Sequence, residues 1–172
     1  MAGQITIETD RLILREFTLD DVEAYFQLGT DSAVIRYTGD GGMTNLEDAA
    51  TVLRDRPLAD YQKYGYGRLA CVLKASGQVI GFAGLKYMDD ITDVDIGYRF
   101  LPAYWGKGLA TEACRPLIPY GFDQLRLARI LGLVDPENVA SVRVLEKLGL
   151  TFVGMMDYRT FHVAKYQILA GV

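Results

Sequence analysis

With 172 residues, half of them hydrophobic and 23% charged, the chain has the size and balance of one folded domain with a sizeable core, spanning residues 1–172. A net charge of −4 gives no electrostatic case for binding nucleic acid or an anionic membrane surface. The first ten residues lack the regions of a signal peptide, no apolar run approaches a membrane span, and one histidine with two scattered cysteines leaves no zinc-ligand spacing, so a cytoplasmic protein without a metal is expected.

Residues 11–17 alternate Leu12, Leu14 and Glu16 against Ile13, Arg15 and Phe17 and read as a strand. Thr18-Leu19-Asp20-Asp21 caps a helix through about Leu28. A loop with Gly39, Gly41 and Gly42 follows. Thr44-Asn45-Leu46-Glu47 has capping-box spacing and opens a helix to about Tyr64, with Pro57 a point of interruption. Residues 68–74 and 79–87 are strands joined by a hairpin at 75–78, and 92–100 is a third strand of this meander. A glycine turn leads to a helix ending near Gln124, and 129–134 is a short strand. Asn138 caps a helix to Leu148, closed by Gly149, before a final strand pair at 150–156 and 161–169. Cys71 in a strand-like run and Cys114 in a helix-like run read as buried free thiols. Hairpins followed by a β-α-β unit indicate an α/β fold with a mixed central sheet. Pro116 and Pro119 fall inside the helix after the glycine turn. Each removes an N–H and crowds the carbonyl four residues back, which predicts a kink or early break near Arg115.

The glycine turn, Trp105-Gly106-Lys107-Gly108-Leu109-Ala110, leaves a strand and opens a helix. The first N–H groups of a helix have no internal acceptor, and the peptide dipoles add positive charge there, which makes an anion site of the kind phosphates occupy. It is not a Walker loop, and Thr111 stands where the Rossmann fingerprint needs its third glycine. Thirty residues on, Asp135-Pro136-Glu137-Asn138 is followed by Ser141 and by Glu146-Lys147-Leu148-Gly149. Together with Glu8-Thr9-Asp10-Arg11-Leu12-Ile13-Leu14-Arg15 and with Ile96-Gly97-Tyr98 before the turn, these blocks resemble the GNAT superfamily of acetyl-CoA-dependent N-acetyltransferases. Within it the chain looks most like the RimJ/RimL-type branch, which acetylates protein N-termini and related amines.

That resemblance implies an acyl-CoA N-acyltransferase fold of about seven strands flanked by helices. Its fourth and fifth strands, residues 94–100 and 129–134, would splay with pantetheine between them. It implies transfer of acetyl from acetyl-CoA, the co-substrate, to a primary amine by direct attack in a ternary complex. The amine would be a protein N-terminal α-amine or a small molecule. Pyrophosphate would lie on the backbone of Trp105, Gly106, Lys107, Gly108, Leu109 and Ala110, with Thr111 a hydroxyl donor and Lys107 either a phosphate partner or a solvated lysine. Tyr98, Arg99 and Phe100 would present main-chain groups to pantetheine and to the oxyanion, and Asn138 would bond pantetheine as well as cap its helix. The resemblance gives Ser141 the protonation of the leaving thiolate. Many members use a tyrosine one turn further on, where this chain has Leu145.

Asp89, Asp90, Asp93 and Asp95 cluster around one turn and read mostly as solvated. Asp95 stands where the branch often has glutamate, and it would bind the cationic amine or relay its proton through water. His162 is a substrate-side candidate against a plain surface reading, and Glu112 reads as structural beside the helix dipole. The alternative is a non-catalytic acyl-CoA-binding sensor or interaction module. Neither nucleic acid nor membrane is an expected partner, and either a monomer or a homodimer fits the family.

Overall fold

Leu12 and Leu14 are fully buried while Ile13 and Arg15 between them are half-buried, the two-residue alternation of a strand lying on a core. The computed structural model describes residues 4–38 and 43–171, so the loop read at Gly39, Gly41 and Gly42 lies outside the described residues. The strands are β1 (Thr6–Glu8), β2 (Leu12–Arg15), β3 (Arg68–Leu73), β4 (Val79–Met88), β5 (Asp93–Phe100), β6 (Arg129–Val134), β7 (Thr151–Tyr158) and β8 (Phe161–Leu169). They form one eight-stranded sheet in the order β1-β2-β3-β4-β5-β6-β8-β7. The sheet is mixed, as expected, because only β5 and β6 run parallel. The strand beyond the expected seven is β1, whose three residues are too few to show a period.

The helices are α1 (Val22–Thr30), α2 (Ser32–Ile35), α3 (Leu46–Leu53), α4 (Ala59–Tyr64), α5 (Leu109–Cys114), α6 (Leu117–Pro119) and α7 (Val139–Lys147). Adjacent β3 residues point to opposite faces. Leu69 joins the larger core with Leu85, Ile96, Leu109, Leu117, Ile130 and Leu145, under α5 and α7. Ala70 joins Phe17 and Leu53 on the other side, toward α1 and α3. Each leucine buried in this way contributes about 1.5–3 kcal/mol. Cys71 and Cys114 are free and fully buried, and burial pushes both thiols up. Among the described residues no helix is long and apolar enough to cross a membrane.

The prolines shape the helices as their chemistry requires. Arg115 N–H closes the last bond of α5 on Thr111 O, and the α-helix stops there because Pro116 has no N–H to continue it. A wide π-turn (Tyr120–Gln124) follows Pro119, and another (Arg54–Leu58) contains Pro57. In both, i→i−5 bonding replaces the bonding that proline interrupts. The cap of α3 differs from the expected box by one residue: Asn45 accepts from Asp48 N, and the Asp48 carboxylate takes Thr44 N and its hydroxyl.

β5 and β6 share a single register pair, Asp95 with Leu131. Beyond it the strands diverge, leaving a gap along the C-terminal half of β5, while β4 stays paired with β5 from Met88–Asp93 to Gly81–Phe100. β8 fills the far side of β6 from Arg129–Leu169 to Val134–Ala164. The sheet is therefore continuous on both sides of one opening.

Candidate active site

Leu101 N–H bonds Ile80 O on β4. With the two-residue period of a strand, Tyr98 and Phe100 therefore turn their main-chain groups into the gap, and Arg99 turns its own toward β4. This corrects the expectation for Arg99: its main chain pairs with Phe82, and its guanidinium lies 5.2 Å from the Phe82 ring centre and 3.5 Å from Leu28 O.

From Phe100 the chain passes a 3-10 turn (Pro102–Tyr104) into the glycine turn. Trp105 Nε1 donates to Phe100 O at 2.7 Å, so the indole pins the turn to the end of β5 while half of it stays exposed. Gly106 and Gly108 have φ of +72° and +75°, which side chains with a Cβ rarely adopt. A Cβ at Gly106 would meet nothing within 4 Å, and one at Gly108 only Arg11 Nη2 at 3.8 Å. The outer side of the turn is thus open, with the first N–H groups of α5 beside it. Lys107 Nζ lies 5.8 Å from the Tyr104 ring centre. A cavity of about 650 Å3 borders Gly108 and Thr111 and is lined by two cations, Arg115 and Lys147, and by two acids, Asp10 and Glu112. These two cations come from different helices, so no local pattern pairs them. A second cavity of about 300 Å3, beside Arg15 and Asp21, touches none of the expected site residues.

Behind the turn stands the first sequence block. Arg11 Nη2 donates to Lys107 O at 2.9 Å, Arg11 Nε to Glu112 Oε2 at 2.7 Å, and Arg11 N to Glu112 Oε1 at 2.8 Å. Thr9 Oγ1 adds a bond to Glu112 Oε1 at 2.8 Å. Burial alone would push the Glu112 carboxyl up. The donors from Arg11 and Thr9 together outweigh it and hold the group below the usual carboxylate range.

At the start of α7, Asn138 Oδ1 accepts from Ser141 N at 3.3 Å, the expected cap, which leaves the amide nitrogen as its donor. Ser141 Oγ donates to Tyr98 Oη at 3.0 Å, and Tyr98 Oη donates to Ser141 O at 2.7 Å. The Tyr98 side chain packs against the larger core. Its hydroxyl also joins β5 to the start of α7, and burial pushes its phenol far up. Leu145 is 1% exposed and packs against Gly132 of β6.

The four turn acids each have partners. Asp89 accepts from Tyr64 Oη at 2.8 Å, Asp90 lies 3.4 Å from Arg159 Nε, and Asp93 accepts from Arg129 Nε at 2.6 Å. Asp95 is 7% exposed and is held by Arg68 Nη2 at 2.7 Å and Leu133 N at 3.0 Å. Both its oxygens are therefore engaged, which is a poor arrangement for a base that must collect a proton from substrate. Burial pushes its carboxyl up, against the pull of Arg68. His162 sits exposed on the β7–β8 hairpin with Asp157 Oδ1 at 2.7 Å.

The chain is similar to known proteins in sequence and in fold. An acetyltransferase (GNAT) domain model matches residues 11–151. The uncharacterized N-acetyltransferase p20 of Bacillus licheniformis is 32% identical over 166 residues, covering 95% of this chain and 91% of its own. The spermidine N(1)-acetyltransferase of Escherichia coli is 26% identical over 155 residues, covering 90% of this chain and 80% of its own. The crystal structure of an acetyltransferase from Agrobacterium tumefaciens superposes with a TM-score of 0.83 at 25% identity, over 96% of this chain and 95% of that one.

Proposed function

The chain belongs to the GNAT acetyltransferase family and is an acetyl-CoA-dependent N-acetyltransferase, and from that premise we propose how its residues hold the cofactor and serve the transfer. The observation that carries the reading is the opening of β5 from β6 beyond Asp95, with the glycine turn at one end of β5 and Ser141 across the gap. Residues 1–172 act as one domain. The N–H groups of the turn from Trp105 to Ala110, with the Thr111 hydroxyl, hold the pyrophosphate, and Lys107, Arg115 and Lys147 add positive charge around it. The open space outside Gly106 and Gly108 fits such a group. Main-chain groups of Tyr98 and Phe100, with the Asn138 amide, line the gap for pantetheine.

Acetyl-CoA supplies the acetyl group as an activated thioester. A gap-facing N–H of β5 donates to the acetyl oxygen as it gains charge, a role that suits fixed main-chain dipoles. The amine nitrogen forms its bond to the acetyl carbon as the carbon–sulfur bond breaks. Ser141 Oγ–H gives the sulfur its proton and takes one back from the water that accepts the amine's surplus proton, so the serine ends as it began. An α-amine with a pKa of roughly 8 is about one tenth neutral at pH 7, so water suffices as acceptor for that substrate.

The acceptor is a primary amine. The RimJ/RimL-type motifs favour a protein N-terminus, and the spermidine-acetylating relative favours a small polyamine as the second choice. The buried, unpaired thiols fit a reducing cytoplasm. Calorimetry with CoA and a transfer assay over peptide and polyamine acceptors test the reading together. Ser141→Ala should bind CoA as the parent does while turnover falls roughly 100-fold. Equal turnover would remove Ser141 from the reaction. CoA binding with no transfer to any acceptor would favour the non-catalytic acyl-CoA module.

A further inference from the structure

The chemistry above leaves unused a buried, closely bonded polar cluster in the sheet. Arg68, on β3, reaches across β4 to β5. Its Nη2 donates to Asp95 Oδ2, and its Nη1 to the carbonyls of Asp95 and Gly84. The paired side chains are only 15% and 10% exposed. The Ile96-Gly97-Tyr98 motif accommodates this cluster. A Cβ at Gly97 would overlap the Arg68 guanidinium, which lies across that glycine. Lys86, directly opposite Asp95 on β4, pairs with Asp60 at 3.3 Å, so the neighbouring charges are balanced as well.

The other Asp95 oxygen does something that a ladder normally does. In a parallel pair, donors toward the partner strand recur every second residue. After Leu131, the next β6 donor toward β5 is Leu133 N. In an unbroken ladder it would bond a β5 carbonyl and draw the strands together. Here Asp95 Oδ1 takes it at 3.0 Å. A buried N–H without a partner is costly. The side chain therefore satisfies the donor exposed by the divergence and leaves the β5 main chain free to face the gap.

We propose that Arg68 and Asp95 fix the closed end of the cofactor gap, and that Asp95 is a positioning residue for acetyl-CoA, leaving the amine's proton to water. This rests on the reading of the gap as the cofactor's. Without the carboxylate, Leu133 N–H can pair with β5 and narrow the gap, and Arg68 is left buried beside Gly97.

The first test uses the parent protein. The acid limb of kcat/KM should move with the pKa of the amine when two acceptors of different basicity are compared. A limb fixed at one pH for both acceptors would be an enzyme carboxylate and would overturn the proposal. Two variants then separate the roles. Asp95→Asn keeps an acceptor for Leu133 but loses the charge facing Arg68, and Asp95→Ala loses both. A narrowed gap crowds the pantetheine and weakens binding itself, by about tenfold in Kd for every 1.4 kcal/mol lost. We therefore expect the Kd for CoA to rise at least about tenfold in Asp95→Ala and less in Asp95→Asn, with the amine KM and the acid limb unchanged. A large fall in kcat with loss of the limb and unchanged CoA affinity would make Asp95 the base. Unchanged CoA affinity in a folded Asp95→Ala would overturn the proposal too. CoA affinity is read by calorimetry without turnover, so a failure of the transfer reading would appear separately.

Discussion

Tyr98 and Ser141 exchange two hydrogen bonds, hydroxyl to hydroxyl and phenol to carbonyl, and that exchange sets what the serine can donate. In the geometry seen, the Ser141 proton points at Tyr98. For it to reach a sulfur in the gap, the hydroxyl must rotate, and the phenol can then turn from the Ser141 carbonyl to Ser141 Oγ. The pair thus passes a proton outward while the serine oxygen gains a donor. Burial keeps the phenol protonated across the working range, so it is always able to donate. Tyr98→Phe removes both bonds, each worth about 1 kcal/mol to stability, and should also slow turnover. The informative quantity is the coupling with Ser141→Ala. If the two act as one unit, the double variant should be little slower than either single one, with a coupling in turnover above about 0.5 kcal/mol. Independent effects that simply add would mean that the phenol only packs there.

At the scale of elements, the segment from Thr9 to Arg11 is docked on α5 and on the turn that precedes it. A trans peptide points its C=O and N–H in opposite directions. When Arg11 holds Lys107 O from behind, it aims Gly108 N–H at the open side of the turn, where phosphate would lie. Arg11 is 45% exposed, so its contribution is modest, about 1 kcal/mol or roughly fivefold in affinity. Arg11→Ala should raise the Kd for CoA by about that factor and leave the amine KM alone. Arg11→Lys should restore little, because one ammonium cannot serve both Glu112 and Lys107 O. Equal CoA affinity in parent and Arg11→Ala would show that the turn keeps its shape unaided. None of this was legible locally. Arg11 and Glu112 are 101 residues apart, and Arg68 and Asp95 are 27 apart, so their partnership exists only once the strands are registered. Patterns with a short period were legible: the alternation in β2, the meander of β3 to β5, the Asn138 cap and the break at Pro116. The α3 cap was misplaced because Thr44–Glu47 and Asn45–Asp48 both satisfy the spacing, and one sequence window cannot rank them. Asp89 and Asp90 are exposed, as read, whereas Asp93 and Asp95 are not, because their partners Arg129 and Arg68 come from β6 and β3.

For the whole molecule, two carboxylates tie the first strands to the rest. Asp21 is 7% exposed, and Arg15 grips both its oxygens at 2.8 Å while Thr18 N adds a bond at 2.9 Å. Burial pushes its carboxyl up, but these donors outweigh burial and hold it below the usual value. Glu112 is lowered on the same pattern by Arg11 and Thr9. A carboxylate depressed in the folded state binds its proton more readily when unfolded, so stability falls as acid is added. The contribution is complete above the unfolded values of about 4 and is lost as pH drops through the folded ones. Asp95 has the opposite sign, since burial raises its carboxyl. Its penalty grows as pH rises from the unfolded value of about 4 to that raised value, and it is absent in stronger acid. The loss from Asp21 and Glu112 should make urea midpoints fall as pH drops below about 4. Glu112→Gln keeps the shape of the side chain and should make that acid fall shallower while lowering the neutral plateau. An acid slope identical in parent and variant would mean that Glu112 titrates as it does when unfolded, and that the clamp of Thr9 and Arg11 on α5 adds nothing to stability.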